Sequence, residues 1–154
     1  ADVGTVKMEG HFSMSNKTSG DMGNAEAALT KVLDAITFND DGLVAAIAQQ
    51  FDTRDVLMMA WMNRDSITET FETGQVCYFS RSRGKLWRKG ESSGQTQALK
   101  DFRWDCDADT VLVLVDQVGV ACHTGRGNCF FNAVRDGEPA IIADVEIDPD
   151  DLYG

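Results

Sequence analysis

"DCDADTVLVLVDQVGVACHTGRGNCFF", residues Asp105 to Phe131, holds most of what the chain reveals about its fold. Its centre is a continuous apolar run from Thr110, which reads as a strand buried on both faces. Around that run stand three alternate aspartates, three of the chain's four cysteines and one of its two histidines. A buried strand with chemistry at both ends needs neighbours, and the flanking sequence supplies them.

"TQALKDFRWDC" just upstream reads as a second strand, and "QVCYFS", β-branched and aromatic, as a third. "RSRGK" turns that strand back into "LWRKG", with Gly84 suited to the turn. Further upstream "LVAAIAQQF" and "VLMMAW" flank the polar "DTRD", a hairpin pattern whose turn lacks glycine. Asn63 is placed to cap a helix through "RDSITETFETG", with Gly74 as its stop. A short helix is expected around Ala25–Ile36. The class that follows is α+β, with mostly antiparallel strands and a few short helices, because hairpin-like joins outnumber helical crossovers. The tail after Phe131 is acidic, has one short apolar piece and reads as peripheral.

With 154 residues the chain reads as one domain. Residues 1–24 read as a flexible leader, in part an expression remnant, and 25–154 as the domain with its acidic tail. His11 falls in the leader and is a poor candidate for chemistry. A net charge of −11 argues against a surface that binds nucleic acid or anionic membrane. No apolar run is long enough to span a bilayer, and the N-terminus lacks the apolar core of a signal peptide. A cytoplasmic location is therefore expected, where grouped cysteines point to metal or catalysis more than to disulfides.

Asp105, Asp107 and Asp109 would share one face of an extended segment, and Cys106 would face the other way. Three close carboxylates repel, and a hard cation such as Mg²⁺ or Ca²⁺ offsets the repulsion. The bland alternative is a solvated acidic turn. An EF-hand loop is excluded: its sixth position would be Thr110 rather than Gly, and its twelfth Asp116 rather than Glu.

Cys106, Cys122 and Cys129 lack the close pairs of a zinc finger, yet "ACHTGRGNC" is a glycine-containing loop that can turn side chains toward a ligand. Three protein ligands would leave a fourth position open, as in catalytic zinc sites. Buried apolar thiols are the alternative, and Cys77 inside "VCYF" suits it; a four-cysteine structural site is a further option. His123 reads as a ligand, a general base or an ordinary loop histidine. Thiolates donate charge and blunt zinc's effect on water, which favours the base. The H-x-E and P-C-x-x-C signature of nucleobase deaminases is absent.

"SRSRGKLWRKGESSG" gathers Arg81, Arg83, Lys85, Arg88 and Lys89 against the overall charge, which favours phosphate binding over a solvated hairpin. Trp87 can stack on a base or pack in the core.

Together, "MNRDSITETFETG", "YFSRSRGKLWRKGESSG", "DCDAD" and "ACHTG" with the later Cys129-Phe130 resemble the phosphoribosyl-AMP cyclohydrolase family of histidine biosynthesis, over roughly Gly42 to Phe131. The resemblance implies hydrolysis of the N1–C6 bond of phosphoribosyl-AMP, the third step of that pathway, to give the formimino-carboxamide ribotide. It implies Zn²⁺ on Cys106, Cys122 and Cys129, with the site shared between the subunits of an intertwined homodimer. It implies Mg²⁺ on Asp105, Asp107 and Asp109. Substrate contacts are implied for Arg81, Arg83, Lys85, Lys89, Glu91 and Ser93, and proton transfer falls to His123. Asn128 stands where the family pattern has Ser, and Asp116 where it has Glu. Some relatives carry a fused pyrophosphohydrolase; the short chain after Phe131 predicts a single activity here. A noncatalytic zinc-stabilised module, or a zinc hydrolase acting on another purine nucleotide, are the competing readings.

Overall fold

The computed structural model describes residues 19–153. His11 and most of the expected leader lie outside the described residues. In chain order the elements are α1 (Ser19–Ala35), β1 (Val44–Gln50), β2 (Val56–Met62), α2 (Arg64–Thr73), β3 (Cys77–Ser80), β4 (Lys85–Arg88), β5 (Gln97–Trp104), β6 (Thr110–Gln117), β7 (Asn132–Arg135), β8 (Glu138–Ile141) and α3 (Pro149–Tyr153). The α+β class is as expected, with α1 starting at Ser19 rather than Ala25.

Six strands form one sheet in the order β4-β3-β2-β1-β6-β5. Every neighbouring pair is antiparallel except β1 and β6, which run parallel. The sheet curls: Val76 N donates to Gln97 O (2.9 Å) and Leu99 N to Gly74 O (2.8 Å), so β5 meets the chain entering β3. The apolar run of β6 is thereby central. Val111, Val113 and Val115 are fully buried on the core side. On the other side Leu114 is buried but Leu112 only half-buried, so burial on both faces is partial.

Local chemistry accounts for the joins. The β1–β2 turn does without glycine because Arg54 takes the left-handed conformation (φ 67), held by Arg54 N to Gln50 O at 3.0 Å. In α2 the Asn63 side chain accepts from Ser66 N, the Ser66 hydroxyl accepts from Asn63 N, and Gly74 closes the helix at φ 73. The apolar stretch that begins at Thr110 resumes from Val118 toward Cys122, but the strand ends at Gln117. Gly119 follows with φ 61, and a side chain there would strike Gln95.

Core packing joins β1 (Val44, Ala46, Ala48) to the β6 valines, with Ile67 of α2 against them. Each buried valine or isoleucine there contributes about 1.5–3 kcal/mol, each alanine methyl well under that. Among the described residues three polar side chains are fully buried, Ser66 and Thr70 of α2 and Gln97 of β5; Gln97 is the largest of them. It accepts from the Tyr78 hydroxyl at 2.6 Å and donates to Gln117 Oε1 at 2.9 Å, so it does not sit unsatisfied.

The tail is mostly exposed and outside the main sheet, as expected of a peripheral segment, but it is structured. β7 and β8 form a hairpin across Asp136-Gly137, both at positive φ, as a two-residue primed turn requires. Beyond it, Glu146 N and Ile147 N both donate to Gly125 O (2.8 and 3.1 Å), and Leu152 is buried. The tail therefore clasps the cysteine loop.

Candidate functional site

Two donor clusters flank β6. At its start, Asp105 to Asp109 form the β5–β6 turn rather than an extended strand: Asp105 N donates to Thr110 O and Ala108 N to Asp105 O, with Ala108 at φ 62. The three carboxylates still converge, all within 4.8 Å of one another, because a tight turn and not strand alternation folds them together. Among the described residues this is the one group of three or more Asp, Glu, His or Cys side chains so gathered. Asp109 titrates above its ordinary value, chiefly through Asp107 beside it. Desolvation pulls Asp105 upward too, but the Thr110 N–H and the neighbouring carboxyls outweigh it and hold Asp105 low. Such a set of exposed oxygens fits a hard divalent cation. Cys106 sits in the same turn, exposed.

Past the end of β6, the loop from Val118 to Phe131 brings Cys122 and Cys129 close enough that each thiol acts on the other. Cys122 N donates to Arg126 O (3.1 Å), Gly125 N to Cys122 O (3.0 Å), and Cys129 N to Leu57 O at the start of β2 (2.7 Å). Gly125 is required here: at φ 84, a side chain would collide with the Ile147 carbonyl of the tail. Burial alone would push Cys122 up, but the Thr124 hydroxyl at 3.1 Å, the Thr124 backbone, Cys129 and Lys89 together bring it below its usual range. Desolvation of the thiol and then Cys122 push Cys129 up, although the residue as a whole is exposed. Soft thiols beside a cation suit a zinc-like metal.

These two clusters do not meet within one chain. β6, eight residues and about 23 Å long, separates the turn that holds Cys106 from the start of the loop that holds Cys122 and Cys129, and among the described residues the three thiols do not gather into one metal-sized group. Cys77 joins neither cluster. It is buried in β3, its thiol pushed up to about 12 by burial and then by Glu69. A single-chain four-cysteine site is therefore not assembled.

A third feature is a cavity of about 250 Å³ lined by Arg83, Trp87, Glu91, Ser93, His123 and Tyr153, with Gly90 and Ser92 completing it. Four residues singled out in the sequence, Arg83, Glu91, Ser93 and His123, thus share one space. Arg81 instead lies over the Trp61 ring (4.8 Å), Lys85 is exposed at the start of β4, and Lys89 turns to the thiol loop, donating to Ala121 O at 2.7 Å. Trp87 packs on Tyr78 (5.5 Å between rings) while also lining the cavity, so its two readings coexist. Tyr153 was not legible, since nothing in the spacing of an acidic tail marks its return to His123. A larger cavity, about 390 Å³, is lined by Gln50, Asp52, Asp55, Gln117, Asn128, Glu146 and others, and holds no expected site residue.

A curled α+β sheet carrying a thiol pair, a carboxylate triad and a polar cavity with an imidazole defines a class: a domain with metal-type donor sets beside a small-molecule pocket. The comparisons specify it further. A family model described as phosphoribosyl-AMP cyclohydrolase matches residues 58–131. The phosphoribosyl-AMP cyclohydrolase of Rhodospirillum centenum is 62% identical over 128 residues, covering 83% of this chain and 96% of its own. That of Paramagnetospirillum magneticum is 65% identical over 122 residues (79% and 92%), and that of Granulibacter bethesdensis 61% over 127 (82% and 99%). The chain belongs to the phosphoribosyl-AMP cyclohydrolase family.

Proposed function

We infer that the protein is a phosphoribosyl-AMP cyclohydrolase of histidine biosynthesis, adding water across the N1–C6 bond of the adenine ring. The observation that carries this reading is family membership joined to one cavity that holds His123, Arg83, Glu91 and Ser93. Water attacks C6, the N1–C6 bond breaks, and C6 with its amino group becomes the carboxamide. N1 remains on C2 as the formimino nitrogen and takes up a proton.

His123 suits the proton traffic. An imidazole beside the reacting carbon can accept the proton of the attacking water and return one to N1. Arg83 supplies a guanidinium for phosphate oxygens, and the Ser92 and Ser93 hydroxyls supply neutral donors at the same wall. Arg81 and Lys85 add positive charge nearby, which draws a doubly phosphorylated substrate to an otherwise acidic protein.

Zinc would be held by Cys106, Cys122 and Cys129, and magnesium by Asp105, Asp107 and Asp109. When bound, a thiolate-held zinc supplies Lewis acidity toward water and the ring, while magnesium offsets carboxylate charge. Because Cys106 and the thiol pair lie at opposite ends of β6, a three-cysteine site requires Cys106 from a second copy. An intertwined homodimer with shared sites meets that requirement.

The sheet face away from the core supports such a dimer. Its register aligns Leu112, Ile47 and Met59 in one row and Trp61, Phe79 and Leu86 in another. All six are half-buried or exposed, Met59 by 42%. A contiguous apolar sheet face of this kind gains most when a partner covers it. No helix among the described residues is long and apolar enough to cross a membrane, and all four cysteines are free. A cytoplasmic enzyme acting on a small nucleotide, with no nucleic-acid or membrane partner, fits these features.

The test is turnover of phosphoribosyl-AMP, followed by ultraviolet absorbance as the ring opens, with Zn²⁺ and Mg²⁺ supplied. Turnover that stops on chelation and returns with metal is expected. A folded, zinc-loaded dimer that leaves phosphoribosyl-AMP intact would overturn the reading.

A further inference from the structure

Lys89 is a half-buried cation with no carboxylate partner among the described residues. Among the described residues, ion pairs join Arg88 to Glu69 and Arg103 to Asp101, and none involves Lys89. Its stem runs along Trp87, with the ammonium 5.6 Å from the ring centroid. The one hydrogen bond of its Nζ goes to the carbonyl of Ala121, the residue before Cys122, at 2.7 Å. Its backbone N–H is anchored on Val76 O at 3.2 Å, so the side chain is aimed from a fixed base. An ammonium withdrawn from water beside a single neutral acceptor is costly unless an anion faces it. Cys122 and Cys129, in the loop whose Ala121 carbonyl holds the ammonium, are the thiols that become anions when a metal binds, and Lys89 acts electrostatically on both.

We propose that Lys89 is a positioning residue for the thiolate metal centre: it fixes the Ala121–Cys122 backbone and neutralises the excess thiolate charge, rather than binding a substrate phosphate. The proposal rests on the zinc reading above and deepens it. Three thiolates around a divalent zinc leave one net negative charge, and one ammonium cancels it. Charge donated by three sulfurs weakens the metal's pull on water, and a nearby cation restores part of it. Lys89 also adjoins Gly90 and Glu91, which line the cavity, so it couples the cavity rim to the thiol loop.

Zinc affinity of the full-length protein, measured by competition with a chromophoric chelator, separates this role from its rivals when Lys89→Met and Lys89→Arg are compared with wild type. Lys89→Met should bind zinc about 10- to 100-fold more weakly, the range for groups that support metal ligands. Lys89→Arg should recover most of the loss. Metal-free Lys89→Met should unfold at the same temperature as metal-free wild type or higher, because an unpaired buried charge is gone. Unchanged zinc affinity with a raised KM would make Lys89 a phosphate ligand and overturn the proposal. Lower stability of the metal-free variant, parallel to its loss of zinc, would reduce Lys89 to a structural role and overturn it equally. Wild type that takes up no zinc in the same titration would remove the zinc reading itself, a different failure.

Discussion

Cys106 and Cys122 lie at opposite ends of β6, one in the turn before Thr110 and the other in the loop after Gln117. The strand between them is central in the sheet, paired with β1 on one side and β5 on the other. Among the described residues Cys106 is not gathered with Cys122 and Cys129 into one metal-sized group. The distance therefore carries a prediction about assembly.

If each site takes Cys106 from one subunit and Cys122 with Cys129 from the other, two dead variants should complement. Cys106→Ala and Cys122→Ala, each inactive alone, are co-refolded in equal amounts. Random pairing makes half the dimers mixed, each with one intact site, so about a quarter of wild-type turnover should return. Zero recovery in a mixture shown to exchange subunits would sink the shared site.

His123→Ala should keep its zinc and lose turnover by about a hundred- to ten-thousand-fold, the usual weight of a general acid–base group. Zinc content by metal analysis and kcat by absorbance are the two readings. Turnover near the wild-type rate would remove His123 from proton transfer.

Cys77→Ala tests the thiol that stands apart. Its side chain is buried against the core and its electrostatic neighbours are Glu69, Arg88 and Glu91, not the other cysteines. Zinc stoichiometry and affinity should match wild type, with stability lower by about 1 kcal/mol for the truncated buried side chain. A loss of zinc affinity would revive a four-cysteine site.

Asn63→Ala removes the side-chain acceptor that holds Ser66 N at 2.8 Å. The loss should be about 1 kcal/mol, a fall of roughly 2–4 °C in Tm for a chain of this size, read by calorimetry. Asn63→Asp, which keeps the acceptor, should stay close to wild type.

Glu69 accepts from Arg88 Nη2 at 2.7 Å and Nε at 3.0 Å, and this pairing chiefly lowers its pKa, helped by the Cys77 thiol. A carboxylate held below its unfolded value stabilises above that value and loses the contribution as pH falls through the folded one. Glu69→Gln should therefore lose stability relative to wild type at neutral pH, and the difference should shrink between about pH 5 and pH 3. A constant gap across that range would mean that the charge is not what the pairing uses.

Much of the fold was legible because its signals are local. Asn63 and Gly74 mark α2 by the backbone conformations they permit, two apolar runs around a polar turn mark β1 and β2, β-branched and aromatic residues mark β3, and a continuous apolar run marks β6. The parallel pairing of β1 with β6 was not legible, since strands distant in sequence carry no local sign of their register. The β7–β8 hairpin does have a local sign, Asp136-Gly137, a two-residue turn signal set inside an otherwise acidic stretch.

By itself the sequence determined the donors: three aspartates two residues apart, two thiols a short loop apart, and a histidine beside one of them. Side-chain chemistry belongs to a residue wherever it sits, and short-range turns gather such groups without help. Tertiary structure decided their partners. It sent Lys89 to the Ala121 carbonyl, Arg81 to the Trp61 ring, and Tyr153 back to the cavity of His123 and Arg83. Those choices depend on where the curled sheet carries each side chain. Burial across the whole sheet fixes that path, and no window of a few residues contains it.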